Sequence, residues 1–197
     1  MQDLGFYFEL GWDHIIAWEA LDHLLFVLAL SAIYLLGNWK QLLVLITAFT
    51  IGHSLTLVLS VYNIVHVKDK WVEFLIPCTI IVTAVLNLLE KDYQPRSLRL
   101  NYFLALFFGL IHGLGFANAI RFMLAKDQSI GWSLFGFNIG LEAGQIVVVT
   151  GILFLSYLLV NKAGLKRKWW VWILSIVALA IAFKMAWERS PALLSLN

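Results

Sequence analysis

Six long apolar stretches govern what this chain can become. They run roughly over 15–36, 41–62, 72–89, 101–125, 131–160 and 170–187. About 20 apolar residues cross the hydrocarbon core of a bilayer, so each stretch can span one. A backbone in hydrocarbon must satisfy its own hydrogen bonds, which makes these stretches helices. The breaks are short: "GNWK" at 37–40, "HVKDKW" at 66–71, "EKDYQPRSLR" at 90–99, "LAKDQSI" at 124–130 and "NKAGLKRKW" at 161–169. None is long enough for a soluble domain. The expected fold is all-α, a polytopic membrane protein with six transmembrane helices, residues 1–197 forming one domain. The fifth stretch exceeds a straight span and is expected to tilt, kink or project.

Composition agrees with a membrane. Hydrophobic residues make up 61% of the chain and charged residues 13%, against about 25% charged in soluble domains. Nine Trp and six Tyr suit two interfaces. Cys78 is the single cysteine, which excludes an internal disulfide and a cysteine-based metal cluster. The acidic N-terminus "MQDLGFYFELGWDH" has no Lys or Arg, so no cleavable signal peptide is expected. Lys40, Lys91, Arg96, Arg99, Lys162, Lys166, Arg167 and Lys168 follow the odd-numbered stretches. Lys68, Lys70, Arg121, Lys126, Lys184 and Arg189 lie on the terminal side. The excess of positive charge on the first side puts both termini outside the cytoplasm, in a cell's inner (plasma) membrane.

Ionisable residues inside spans are rare and usually face the bundle interior. Here they are Asp22, His23, His53, His112 and Glu142, with Glu73 at the mouth of the third stretch. At about 1.5 Å of rise per residue, His23, His53, His112 and Glu142 all fall about 10–16 Å below the outer face. Scattered packing residues have no reason to share a layer. Asn138, Glu142 and Gln145 form one helical stripe beside Gly136, Gly140 and Gly144. Gly109 and Gly113 flank His112, and such glycines let helices approach closely. Thr47, Thr50 and Ser54 lead to His53. His66, among loop charges, reads as solvated, and "KRKWW" at 166–170 as an interfacial anchor.

Histidines with carboxylates suit a divalent transition metal: Zn, Ni, Co or Fe. Copper(I) would favour Cys and Met, and only Met1, Met123 and Met185 are present. The expected ligands are His23, His53, His112, Asp22 and Glu142, supported by Glu73, Ser54, Asn138, Gln145 and Glu19. A ligating imidazole gives its other N–H to a carboxylate or carbonyl, a role open to Asp22 or Gln145.

"DHLLFVLAL" (22–30), "TAFTIGHSLTL" (47–57), "VEFLI" (72–76), "FGLIHGLGFA" (108–117) and "FNIGLEAGQ" (137–145) resemble the HupE/UreJ membrane proteins. The resemblance touches five of the six stretches in order. It implies a hydrogenase- or urease-accessory protein of the nickel-permease type, with family polar residues at Asp22, His23, His53, Glu73, His112 and Glu142. Other membrane or metalloenzyme-maturation proteins are the further partners it implies, alongside lipid and metal ion; nucleic acid is not expected. The family's first histidine usually stands closer to the Asp-His pair than His14 does here. In a continuous helix, nine residues turn His14 about 180° from His23, which sets His14 apart from the site. Glu19 shares the His23 face instead.

Two functions compete on these residues. A permease needs polar groups on both sides of its site. The outer side has Glu73, Glu19 and His14, the inner side only Thr47, Thr50, Thr83 and Asn87. An intramembrane metalloenzyme would use three histidines, an open coordination position and a base from Glu142, Glu73 or Asp22 to act on a lipid or a membrane-embedded peptide. A metal-stapled scaffold is the third possibility. On either reading the expected cavity opens from the Glu73 side and is closed below His53.

Overall fold

The computed structural model describes residues 4–17, 20–93, 95, 98–124 and 130–194. Glu19, Arg96 and Lys126 fall outside them. In chain order the helices are α1 (Leu4–Ile16), α2 (Leu21–Ser31), α3 (Trp39–Val61), α4 (Asp69–Leu89), α5 (Leu98–Leu124), α6 (Ile130–Ser156) and α7 (Arg167–Leu194). A 3₁₀ turn, Leu36–Asn38, leads into α3, and a wider π turn, Tyr157–Lys162, prolongs α6. Five of these units are long and apolar enough to cross a membrane singly, and α1 with α2 makes a sixth candidate bent by 66°. The chain is a multi-pass helical membrane protein.

The first crossing differs from the stretch expected at 15–36. It starts at Leu4 and is broken. α1 is apolar enough to enter the bundle, and α1 plus α2 is longer than a straight span needs. The surplus is absorbed at Ala17–Ala20, where the Ala20 amide closes a short turn on the Ala17 carbonyl at 3.0 Å. The long fifth stretch is one unit over Ile130–Lys162 that ends in the wider π turn.

Glycine contacts set the helix pairs. Without a hydrophobic drive between helices in lipid, close backbone approach and interhelical hydrogen bonds hold a bundle together. α1 runs parallel to α6. A Cβ on Gly140 would strike the Phe8 carbonyl, one on Gly11 the Phe137 carbonyl, and Ile15 fills the space at Gly144. α3 runs parallel to α5 in the same way, with the Phe49 carbonyl on Gly109 and the His53 backbone on Gly113. Thr47 and Thr50 of α3 donate to Glu142 and Gln145 of α6 at 2.7 and 2.9 Å.

α4 carries Pro77 within its span. Proline has no N–H, so the Glu73 carbonyl one turn earlier loses its intrahelical donor. Arg189 of α7 supplies the replacement, its Nη1 donating to Glu73 O at 2.8 Å. At the opposite end, Arg167 caps the Ile33 carbonyl at 2.8 Å, just past the end of α2. Exposed Trp39 and Trp169 mark one interface, with Lys40 and Lys168 over them. Exposed Trp71, Trp132 and Trp187 mark the other.

Two apolar cores result. One contains Phe26, Leu45, Phe49, Ile80, Phe108, Val149 and Ala178. The other contains Tyr7, Ile15, Leu57, Ile120, Phe137 and Leu141. His53, one turn from both Phe49 and Leu57 on α3, lies between them.

Replacing Gly109 with Val overfills the α3–α5 contact and should cost about 1–3 kcal/mol. The thermal midpoint in detergent should fall accordingly. Gly37→Ala, with nothing within 4 Å of the added carbon, serves as the control. Equal midpoints for both variants would contradict the close packing.

Candidate metal centre

Four of the chain's five histidines meet. His14 closes α1, His23 opens α2, His53 lies in mid-α3 and His112 in mid-α5. The His14 and His23 rings are 4.5 Å apart between centroids, His23 and His112 4.9 Å, His14 and His53 5.7 Å, and His23 and His53 5.8 Å. One ring nitrogen from each of His14, His23 and His53 lies within 4.8 Å of the other two, close enough to hold one ion. His112 stands against this triad from the His23 side.

Two tautomers follow from the hydrogen bonds. His23 Nδ1 is 3.0 Å from Asp22 Oδ1, which also accepts the His23 amide at 2.9 Å. A carboxylate only accepts, so Nδ1 carries the proton and Nε2 keeps its lone pair. His112 Nε2 is 2.9 Å from Thr79 Oγ1, whose own proton goes to Ile76 O at 2.7 Å. The hydroxyl must therefore accept from Nε2–H, leaving the lone pair of His112 on Nδ1.

Those lone pairs have no partner. Among the described residues, His14 Nε2, His23 Nε2, both nitrogens of His53 and His112 Nδ1 are buried without a hydrogen bond. Leaving a buried polar atom unpaired costs about 1–3 kcal/mol each. A cation held by one nitrogen each of His14, His23 and His53 would remove much of that cost, and the neutral-nitrogen donor set matches a borderline metal such as Zn, Ni or Co. Asp22 stands where a carboxylate that orients a ligating histidine belongs. The residues fit a metal.

The remaining candidates are placed elsewhere. Glu142 lies in the α3–α6 seam, bonded to Thr47, because α6 turns that stripe toward α3. Gln145 is bonded to Thr50 in the same seam, and Ser54 donates to Thr50 O at 2.6 Å within α3. Asn138 keeps a buried, unpartnered side-chain oxygen on the same stripe. Glu73 lines the cavity that reaches the histidines.

His14, set apart by straight-helix geometry, stands beside His23. The break at Ala17–Ala20 resets the phase between them, so the 180° argument does not apply. The surplus apolar length of 4–16 signalled that break. Thr79 also escaped notice; the spacing of Glu73, Ile76, Thr79, Thr83 and Asn87 along one face of α4 could have found it.

A cavity of about 440 Å³ opens onto the site, room for several waters at about 30 Å³ each. Its walls include Asp13, Asp22, Glu73 and Arg189. Below the site the rings of Phe26 and Phe49 stack at 4.7 Å, each 5.1 Å from His112, and Phe108 meets Phe26 at 6.0 Å. Phe116 and Phe137, stacked at 5.1 Å, flank His14 on the far side.

The sequence profile described as "HupE / UreJ protein" matches residues 1–189. The chain belongs to the HupE/UreJ family. No curated protein and no solved structure matches it. Membership in the HupE/UreJ family suggests a metal-transport or accessory role, and a histidine cluster is present in this member.

Ligating imidazoles must be unprotonated, so protons compete with the metal. Metal retention, and the stability it brings, should therefore decline as pH is lowered, and acid should strip the ion. His53→Ala should lower the thermal midpoint of metal-loaded protein much more than that of chelated protein. Equal losses in both forms would mark His53 as packing alone.

Proposed function

We propose that this protein is a divalent transition-metal permease or accessory metal carrier, acting as the single 1–197 helical domain. Nickel comes first on the family's ground and zinc second on that of the ligands. His14, His23 and His53 hold the ion and His112 completes the group, with Asp22 fixing the His23 ring. Both termini are assigned to the non-cytoplasmic side of a plasma membrane, so the cavity faces outward and collects the ion.

The observation that carries this reading is the group of unpartnered imidazole nitrogens at a broken first span. Broken spans in transporters bring irregular backbone to a midplane site, where it is tolerated because it lines a cavity. Here Ala17 and Ala20 of the break line the cavity that contains His14 and His23. The three acids of the mouth outnumber its one arginine, which raises the local concentration of cations.

The aromatic floor favours a second reading. A site open to one face only is what an intramembrane metalloenzyme needs, with Glu73 as the base facing the cavity. Glu142, in its seam, is less well placed for that work.

Reconstituted vesicles separate the readings. A permease releases its ion: wild-type protein should carry Ni²⁺ or Zn²⁺ down a gradient, and His53→Ala should abolish the flux. About one tightly held ion per chain and no flux would overturn the permease and favour the enzyme or a scaffold. Asp13→Asn with Glu73→Gln should slow uptake at low ionic strength, and the effect should shrink as salt shortens the screening length to about 8–10 Å.

A further inference from the structure

At the face opposite the termini, the 3₁₀ turn Leu36–Asn38 and the π turn Tyr157–Lys162 leave a groove of about 630 Å³ between them. Gly37, Asn38 and Trp39 form one wall, Tyr157 and Asn161 the other. Each wall carries a lysine on its ring. Lys40 Nζ lies 5.6 Å from the centre of the Trp39 ring, and Lys162 Nζ 5.6 Å from that of Tyr157. A third cation, Arg167, is tied to the Ile33 carbonyl at 2.8 Å, two residues before Leu35 of the groove.

These charges are unanswered within the chain. Among the described residues, Lys40, Lys162 and Arg167 make no ion pair, and no acid lines the groove. The cavity at the histidines, by contrast, has Asp13, Asp22 and Glu73 in its walls. An aromatic ring attracts an exposed ammonium only weakly, and the ammonium N–H groups stay free for an oxygen acceptor. Depth narrows the choice of ligand. The groove lies at the interfacial level marked by exposed Trp39 and Trp169. One turn deeper, Val44 below Lys40 and Phe154 below Tyr157 are exposed and apolar. A ligand that answers both features has a negative head and apolar tails. A free anion would meet only the first.

We propose that this groove binds the head of one anionic phospholipid, with Lys40 and Lys162 on its phosphate and its tails along Val44 and Phe154. Basic pockets between membrane helices bind such heads, and ammonium–phosphate hydrogen bonds are strengthened by charge on both partners. The side-chain amides of Asn38 and Asn161 and the open space over Gly37 take the rest of the head; a Cβ on Gly37 would meet nothing within 4 Å. The volume equals that of about 20 waters at about 30 Å³ each, enough for a phosphoglycerol head. Lipid held there bridges the connection after α2 to the end of α6, so its binding stabilises the folded bundle. None of the histidines takes part, and the site is independent of the metal reading.

The probe is dioctanoyl phosphatidylglycerol, titrated into the full-length protein in an uncharged detergent. Native mass spectrometry counts bound lipid and a thermal scan follows the midpoint. The lipid should saturate at one per chain and raise the midpoint, with dioctanoyl phosphatidylcholine binding severalfold more weakly. Lys40→Gln with Lys162→Gln should weaken phosphatidylglycerol binding on the order of 25-fold. Lys91→Gln with Lys168→Gln removes the same charge from the same face outside the groove and should weaken it far less. Gly37→Leu keeps every charge but fills the groove, and should also weaken binding.

Equal losses in the two lysine pairs, or full binding in Gly37→Leu, would mean attraction to a diffuse surface charge and overturn the site. Equal binding of the two lipids overturns the choice of an anionic head. Inorganic phosphate raising the midpoint as much as phosphatidylglycerol does overturns a lipid as the occupant. His53→Ala should bind the lipid as the wild type does, so failure of this site leaves the proposed metal function standing.

Discussion

A buried imidazole nitrogen needs a partner, and in the histidine cluster five ring nitrogens have none among the described residues. The rest of the structure follows from serving that group. Asp22 and Thr79 fix two of the rings by occupying one nitrogen each and freeing the other. The phenylalanines close the sides and floor, so the group is reached through the cavity above it. Five unpaired nitrogens would weigh on a membrane bundle held by contacts worth about 1–2 kcal/mol each. The donor set of these nitrogens matches the ion proposed above.

Helix geometry explains how the rings meet. α3 and α5 approach to backbone contact at Gly109 and Gly113, which brings His53 and His112 to neighbouring levels. α1 and α6 approach in the same manner at Gly11 and Gly140. The broken first span joins the two pairs, with His14 on one limb and Asp22 and His23 on the other. A straight helix could not present both histidines to one point.

Much of this was legible in the residues. The apolar stretches marked the membrane crossings after the first, and the glycine stripes marked the close contacts. The shared depth of His23, His53 and His112 corresponds to their meeting. The position of α1 was missed, because the break leaves no Pro or Gly signature at Ala17–Ala20 and only the surplus apolar length of 4–16 points to it. Misjudging it also displaced His14. Depth arithmetic grouped Glu142 with the histidines but could not give its azimuth; packing of α6 on α3 pairs it with Thr47 instead.

Pro77 and Arg189 make one unit although they stand on different helices. The proline leaves a carbonyl without its donor, and the arginine takes that place at the rim of an acidic mouth. While its guanidinium is tied to Glu73 O, the positive charge is held to one side of the entrance. Restoring an N–H at position 77 would give the carbonyl back to its own helix and release the charge into the path of an arriving cation. A missing hydrogen in one helix thereby helps set the electrostatic potential of the entrance: drift at position 77 would weaken the attraction of a cation, and loss of the arginine would strengthen it.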